Sequence, residues 1–168
     1  MICPVCGHEN IQGIDECDNC GADLRTVDVP SAGTAFEAKL VDVPLSEVHP
    51  SLPLTIDAAA PAADAVTRMR DAGVGCLIVV AEGTLQGILS ERDLVLKAVD
   101  GSADLGQIPV SDFMTRDPVV LRADDSVAVA IHKMAVGGFR HIPLVNDGQP
   151  TGIVSARDLF RYILDALG

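Results

Sequence analysis

The chain contains an internal repeat with a constant offset of 65 residues. Residues 87–94 read GILSERDL, and residues 152–159 read GIVSARDL. The same offset, without a gap, relates further pairs of identical residues: Pro44 and Pro109, Met69 and Met134, and Gly73 and Gly138. Because a repeat of constant length keeps every element and every turn, the sequence predicts two copies of one structural unit.

Each copy is predicted to be a β-α-β-β-α unit. The elements of the first copy are a strand at 54–56, a helix at 62–72, a strand at 76–81, a strand ending at Leu89 and a helix beginning at Ser90. The helix is indicated by apolar residues at intervals of three and four, and the strands by dense apolar runs separated by a glycine turn. The predicted fold class is therefore α/β (α+β), with the two units packed about a pseudo-twofold axis and preceded by a small cysteine-rich domain.

Composition limits the location and the partners of the chain. Hydrophobic residues make up 48% of the sequence, but no apolar run approaches the roughly 18 residues that a membrane span needs. The first residues lack the charged and apolar regions of a signal peptide, so we expect a soluble cytoplasmic protein. The formal net charge of −12 disfavours nucleic acid and anionic membranes as partners.

Four of the five cysteines lie within the first 20 residues, with the spacing C-x2-C-x10-C-x2-C. They are Cys3, Cys6, Cys17 and Cys20, and a glycine follows each pair. Four thiolates suit a closed, tetrahedral, structural Zn²⁺ site. Two disulfides or a redox pair are the alternatives, but disulfides are rare without secretion, and redox pairs normally accompany a βαβ pattern. The segment resembles a zinc ribbon of the rubredoxin-like or zinc-knuckle type.

The predicted ribbon is acidic. Residues 1–25 carry a net charge of −4, and a Zn(Cys)4 centre adds about two negative charges. Such a surface repels phosphates, so the ribbon is not expected to bind nucleic acid. The predicted domains are the ribbon at 1–25, a linker at 26–43, the first repeat at 44–109 and the second at 110–168. Cys76 stands alone in an apolar strand, where we expect it to be a small buried hydrophobe.

The repeated octet has two interpretations. A serine at the junction of a strand and a helix can bind phosphate together with the free N–H groups of the helix, and a carboxylate one turn later can accept ribose hydroxyls. A nearby glycine lets a ligand approach the backbone. However, Ser-x-x-Asp is also nearly a capping box, which would need no ligand. A cap has no use for the arginine that precedes each aspartate. The residues concerned are Gly87, Ser90, Arg92 and Asp93, and Gly152, Ser155, Arg157 and Asp158.

The stretches GVGCLIVVAEGTLQGILSERDL and GFRHIPLVNDGQPTGIVSARDL both resemble the second half of a CBS domain, named after cystathionine β-synthase. Together, residues 44–168 resemble a tandem CBS pair. The resemblance implies a regulatory module, usually without catalysis, that binds AMP, ADP, ATP or S-adenosylmethionine in clefts between repeats. It also implies a ligand motif, Gly-hydrophobic-x-Ser/Thr-x-x-Asp, which is complete in both copies.

Cations are more numerous in the second copy. Residues 110–168 contain Arg116, Arg122, Lys133, Arg140, Arg157 and Arg161. At the head of the central strand, Arg140 and His141 replace Gly75 and Cys76 of the first copy, and the resemblance implies that this strand borders the ligand cleft. Since phosphate on an acidic protein needs local cations, we expect the second motif to be the stronger nucleotide site.

The sequence favours a non-catalytic sensor that binds an adenine nucleotide and signals to an unidentified protein partner. A homodimer is also expected from the resemblance. The alternatives are a structural adaptor that holds a dimer and binds no nucleotide, and a sensor of S-adenosylmethionine or another adenosyl ligand. An enzyme is not expected, because the sequence lacks Gly-x-Ser-x-Gly and His-Glu-x-x-His motifs and four cysteines would close the metal site.

Overall fold

The computed structural model describes residues 3, 5–10, 15–24, 40–98 and 104–167. The predicted linker at 26–43 lies outside the described residues up to position 39. The chain forms two compact units. One contains Met1–Pro50, Ala123–Ile142 and Val154–Gly168, and the other contains Ser51–Arg122 and Pro143–Ile153. Within the described ranges, no helix combines the length and the apolarity that crossing a bilayer requires.

The first repeat has the predicted order of elements. They are β1 (Thr55–Asp57), α1 (Ala62–Ala72), β2 (Cys76–Ala81), β3 (Thr84–Ser90) and α2 (Glu91–Ala98). Strand β1 is parallel to β2, and β2 is antiparallel to β3. The turn between β2 and β3 consists of Glu82 and Gly83, which both have positive φ, as two-residue hairpin turns of type I′ require.

The second repeat contains α3 (Val110–Phe113), β4 (Thr115–Arg116), α4 (Val127–Gly137), β5 (His141–Asn146), β6 (Gln149–Ser155) and α5 (Ala156–Leu167). Strand β4 is antiparallel to β3, which gives a four-stranded sheet in the order β1-β2-β3-β4, and β5 pairs with β6. The mixed α+β class predicted from the sequence is confirmed.

The first strand predicted in the second repeat, at 119–121, is reduced to an isolated parallel bridge between Leu121 and Leu144. In the first repeat, the amide of Ile78 donates to the carbonyl of Leu54 at 2.9 Å. The residue equivalent to Ile78 is Pro143, which has no N–H group and cannot make this bond. A single proline therefore explains why this short extended segment pairs through one bridge and not as a strand.

The two repeats exchange their opening segments. The segment before and within α3 bonds to the start of α1, and the segment at 43–46 bonds in the same way to the start of α4. Three amide-to-carbonyl bonds of 2.8–2.9 Å occur in each unit, shifted by 65 residues: Val110 to Ala60, Ser111 to Ala58 and Ala62 to Ile108, and Leu45 to Asp125, Ser46 to Ala123 and Val127 to Val43. Each repeat therefore contributes its first helical turn to the other: the first repeat contributes the short 3-10 helix Leu45–Val48, and the second contributes α3.

The exchange also builds the hydrophobic core of the unit that contains the four-stranded sheet. Aliphatic side chains from α1 and the sheet pack against residues of α3 and the position that follows it. The buried members are Ile56, Ala62, Ala65, Met69, Leu77, Val79, Leu89, Leu94, Val110, Phe113 and Met114. Most are small or branched, in keeping with a chain in which aromatic residues are only 3%. This core holds the junction of β3 and α2, where the first copy of the octet lies.

Candidate functional site

The four cysteines predicted to bind zinc lie in one cluster. Their Sγ atoms are all within 4.8 Å of one another. The distance between Cys3 and Cys20 is 3.8 Å, and that between Cys6 and Cys17 is 3.6 Å. Four sulfurs bound at about 2.3 Å to a tetrahedral zinc ion are about 3.8 Å apart, so the spacing fits such an ion. No disulfide joins any of the four cysteines in this structure.

The two Cys-x-x-Cys turns have the same backbone geometry. The amide of Gly7 donates to the carbonyl of Cys3 at 2.9 Å, and the amide of Gly21 donates to that of Cys17 at 2.8 Å. Both glycines have positive φ, 72° and 67°, a conformation that glycine adopts without the steric cost that a side chain would add. These turns bring the two thiols of each pair onto one side of the ribbon.

Asn10 connects the two turns, although nothing in the sequence pattern pointed to this residue. Its side chain is 5% exposed. The Nδ2 atom donates to the carbonyl of His8 at 3.0 Å and to the Sγ atom of Cys17 at 3.6 Å, while Oδ1 accepts from the amide of Asp18 at 3.0 Å. Asn10 thus bonds to Cys17, one of the candidate ligands, in the way that outer-shell residues orient metal ligands.

The thiols of the cluster titrate unevenly without a cation. Burial raises the pKa of Cys17, but N–H donors from the backbone of Asn19 and Cys20 and from Asn10 lower it to about 6. The amide of Ala22 lowers the pKa of Cys20, but the neighbouring Cys6 and burial raise it to about 12. Four thiolates this close repel one another, and a divalent cation would relieve that repulsion. The cluster can therefore hold a metal ion.

Both copies of the octet form complete capping boxes. In the first, Asp93 Oδ2 accepts from the amide of Ser90 at 2.8 Å and from its Oγ at 2.5 Å, and the amide of Asp93 donates to Ser90 Oγ at 3.3 Å. In the second, the same three bonds between Ser155 and Asp158 are 2.9, 2.6 and 3.2 Å. The capping role that the sequence left open is present in both, and it uses one oxygen of each carboxylate.

Gly87 is explained by packing within its own unit. A Cβ atom at this position would lie 2.6 Å from the carbonyl oxygen of Thr115 and 2.8 Å from the sulfur of Met114. In β4, Thr115 pairs with Ile88 and Arg116 pairs with Gly87. The glycine is therefore needed so that β4 can approach β3, whether or not a ligand binds.

The approach of β4 places two polar residues beside the first motif that the sequence had not assigned to it. Thr115 Oγ1 lies 3.5 Å from Asp93 Oδ1. Arg116 is exposed and its Nη2 donates to the carbonyl of Ser111 at 3.2 Å. The repeat could not predict this contact, because the residue equivalent to Thr115 in the first copy is Pro50, which has no hydroxyl group. The first motif thus has its own nearby cation.

The other cations predicted for the site have different surroundings. Arg140 is exposed, and its carbonyl accepts the amide of Ala156 at 2.8 Å, so it lies directly beside Ser155. His141 is half-buried at the start of β5, and the side chains of Arg92 and Arg157 are exposed on the first turns of α2 and α5. The structure therefore places Arg140 beside the second motif, and His141 is the next residue along the chain.

Lys133 is not a surface cation available to phosphate, as its inclusion among the cations of the second copy implied. It is 4% exposed, and its Nζ atom lies 2.7 Å from Asp15 Oδ1 in the ribbon. A buried lysine needs such a partner because an isolated charge is costly to bury. Its hydrophilic side chain gave no sign of burial in the sequence.

Comparison with known proteins identifies the repeats. The CBS domain family model matches residues 45–100 and 110–165. An uncharacterized 17.7 kDa protein in the bps2 3' region of Acidianus ambivalens is 37% identical over 105 residues, which cover 61% of this chain and 62% of that protein. The CBS domain-containing protein CBSCBSPB5 of Arabidopsis thaliana is 32% identical over 105 residues, which cover 62% of this chain but only 19% of that protein.

Solved structures share the fold of the repeats. The CBS-domain containing protein ATU1752 from Agrobacterium tumefaciens has a TM-score of 0.64 and 26% identity, and the match covers 70% of this chain and 94% of that one. The structure of CBSX2 in complex with AMP has a TM-score of 0.64 and 22% identity, and the match covers 75% of this chain and 99% of that one.

Proposed function

Because this chain belongs to the CBS-domain family, we propose that it is a non-catalytic regulatory protein that binds an adenine nucleotide and signals to a partner protein. The observation that carries the proposal is the duplicated junction of a strand and a helix at which Ser90 and Asp93, or Ser155 and Asp158, lie side by side. The AMP in the CBSX2 complex supports adenine nucleotides as the ligand class.

The capping boxes are compatible with a bound nucleotide. The capping bonds use the Oδ2 atom of each aspartate. Its Oδ1 atom can then accept a ribose hydroxyl while the cap stays intact. The first turns of α2 and α5 offer the positive end of the helix dipole to phosphate, and the amide of each aspartate becomes available when the serine hydroxyl that it now bonds turns away. The serine hydroxyl can turn from the aspartate to a phosphate oxygen, since a hydroxyl both donates and accepts.

Local cations offset the charge of the protein. With a net charge of −12, the chain as a whole repels phosphate, so binding depends on nearby positive groups. Arg116 is the candidate at the first motif, and Arg140 with His141 at the second. Each motif therefore has one solvent-exposed arginine that can contact a phosphate without any change in the core.

The proposed output passes through protein association. The chain is proposed to form a homodimer and to contact a partner protein, and the metal site in the ribbon is proposed to hold Zn²⁺. A structural adaptor that binds no nucleotide is the second candidate function. The observation that favours it is that both aspartates are already engaged as caps.

A thermal-shift titration with AMP, ADP, ATP and S-adenosylmethionine tests the proposal. A ligand at a hundred times its dissociation constant stabilises the native state by about 2.7 kcal/mol. For a chain of this size, that corresponds to a rise in melting temperature of about 5–11 °C. A rise in melting temperature with an adenine nucleotide supports a nucleotide sensor. A rise with S-adenosylmethionine alone supports a sensor of that ligand instead. No shift with any of the four supports the adaptor.

Matched variants separate capping from binding. Asp158→Glu keeps a carboxylate at the third helical position, where glutamate completes capping boxes, but it moves the oxygens away from the ribose. We expect Asp158→Glu to retain stability without nucleotide and to lose most of the nucleotide shift. The first motif is tested in the same way with Asp93→Glu. Arg116→Gln at the first motif and Arg140→Gln at the second test whether each arginine contributes to the nucleotide shift. A full wild-type shift in both glutamate variants would show that the aspartates are caps only.

A further inference from the structure

The ribbon contacts the second repeat through a buried ion pair. Lys133 lies on α4, and its Nζ atom donates to Asp15 Oδ1 at 2.7 Å. The side chain of Lys133 is 3% exposed and that of Asp15 is 38% exposed. The lysine is therefore almost fully withdrawn from water, while its partner belongs to a small domain that depends on four cysteines.

The internal repeat supplies a comparison for this lysine within the same chain. The residue of α1 equivalent to Lys133 is Arg68. Arg68 is exposed, and its Nη1 atom donates to the carbonyl of Thr55 at 2.9 Å. One helix thus presents its cation to solvent, and the equivalent helix presents it to the ribbon. The repeated fold by itself therefore does not account for the burial of Lys133, which lies where α4 meets Asp15 of the ribbon.

Asp15 is held in place by the ribbon. Its carbonyl accepts the amide of Leu24 at 2.7 Å, and the adjacent Glu16 forms an antiparallel bridge with Asp23. Leu24 is fully buried in a cluster with Cys3 and Cys17, two of the candidate metal ligands. A domain of this size with so small a core depends on its metal for folding. The position of the Asp15 carboxylate therefore depends on the metal.

We propose that the ribbon stabilises α4 only when its metal ion is bound. With metal bound, the ribbon holds Asp15 against Lys133 and stabilises the helix. When the metal leaves, the ribbon no longer holds the Asp15 carboxylate against Lys133. The buried ammonium group of Lys133 then loses this ion pair, which destabilises α4. The metal state of the first 24 residues is thereby transmitted to the second repeat, independently of whether a nucleotide binds.

Hydrogen exchange of the full-length protein tests this coupling. The protein is compared after loading with zinc and after removal of metal by a chelator, with metal content measured in both. Amides of α4 are expected to exchange at least about tenfold faster without metal, because local opening becomes easier. Amides of α1 should be unchanged, and they serve as the reference within the same molecule. Unchanged exchange in α4 of the metal-free protein would overturn the proposal.

Three variants identify the ion pair as the route. Lys133→Met removes the buried charge, so exchange in α4 should become nearly insensitive to the chelator. Asp15→Asn should speed exchange in α4 while zinc is still bound. Arg68→Met, the matched control on α1, should respond to the chelator as the wild type does. A wild-type chelator response in Lys133→Met would contradict the proposal, and if that variant does not fold, the zinc-loaded Asp15→Asn decides.

Discussion

The amide of Val110, in the first turn of the second repeat, donates to the carbonyl of Ala60 in the first repeat at 2.8 Å. The side chain of Val110 is fully buried, together with Phe113, in the core that contains Ala65 and Leu89 of the first repeat. The first repeat therefore does not close its own core. If the chain were divided at the boundary between the sequence repeats, apolar surface would be exposed on both parts.

The burial of Phe113 predicts an uneven response to the same substitution at two phenylalanines. Phe113→Ala removes a ring that is 4% exposed from the core of the unit built mainly by the first repeat. We expect it to lower the free energy of unfolding by about 3–5 kcal/mol. Phe160→Ala removes a ring that is 61% exposed, and the expected change is within about 0.5 kcal/mol. Urea unfolding measures both, and similar values would contradict the burial of Phe113 in that core.

Sequence periodicity identifies the elements but not their partners. The apolar spacing from Ala62 to Ala72 predicted α1 with the ends that the structure has. An offset of 65 residues shows which segments are equivalent, but it cannot show which copy a segment packs against, because both choices place the same residues in contact. The exchange of α3 was therefore invisible to the sequence, whereas the loss of a strand bond at Pro143 could have been predicted, because a proline stands where the first repeat has Ile78.

The candidate sites were predictable to the extent that spacing determines geometry. The four cysteines form their cluster because two tight turns fix the thiols of each pair. Asn10, Thr115 and Lys133 were missed, because each acts through a contact that spacing does not encode. Lys133 is the clearest case, since its equivalent in the first repeat is an exposed arginine.

The capping boxes predict equal losses of stability in the two repeats. Ser90→Ala and Ser155→Ala each remove a hydroxyl that accepts from the amide three residues later, at 3.3 and 3.2 Å. Each is expected to lower the free energy of unfolding by about 0.5–2 kcal/mol in the absence of ligand. Ser111→Ala, in a helix whose cap is Pro109, is the control and should change little. A loss in one repeat alone would show that the other box is not formed.

Asn10 is predicted to strengthen metal binding without being a ligand. Asn10→Ala removes the donor to Cys17 and the acceptor for the amide of Asp18, and we expect the affinity for zinc to fall about 10–100-fold. Competition with a chromophoric chelator measures this affinity. His8→Ala is the control: its backbone carbonyl accepts from Cys3 and Asn10, and that group survives the substitution. An equal loss in both variants would point to general loosening of the ribbon.

Cys76 is predicted to be unreactive until the chain unfolds. Burial, and secondarily the charge of Glu91, raise the pKa of this thiol to about 12. An ordinary cysteine has a pKa of about 8.5, so at pH 9 an exposed thiol is largely thiolate while Cys76 stays protonated. The unfolded chain loses this proton above about pH 8.5 and the folded chain keeps it. The stabilisation from Cys76 is therefore complete below that pH and declines as the pH rises toward 12.

Thiol labelling at pH 9 measures this difference. The zinc-loaded protein should show no fast-reacting thiol, because its metal-bound cysteines are protected. Chelation should release the four thiols of the cluster, and a denaturant should add the fifth. In Cys76→Ala, the native results should be unchanged, and the denatured protein should show four. If a fifth thiol of the chelated wild type reacts at the rate of the others before denaturant is added, then Cys76 is accessible in the folded chain and its pKa is not raised by burial.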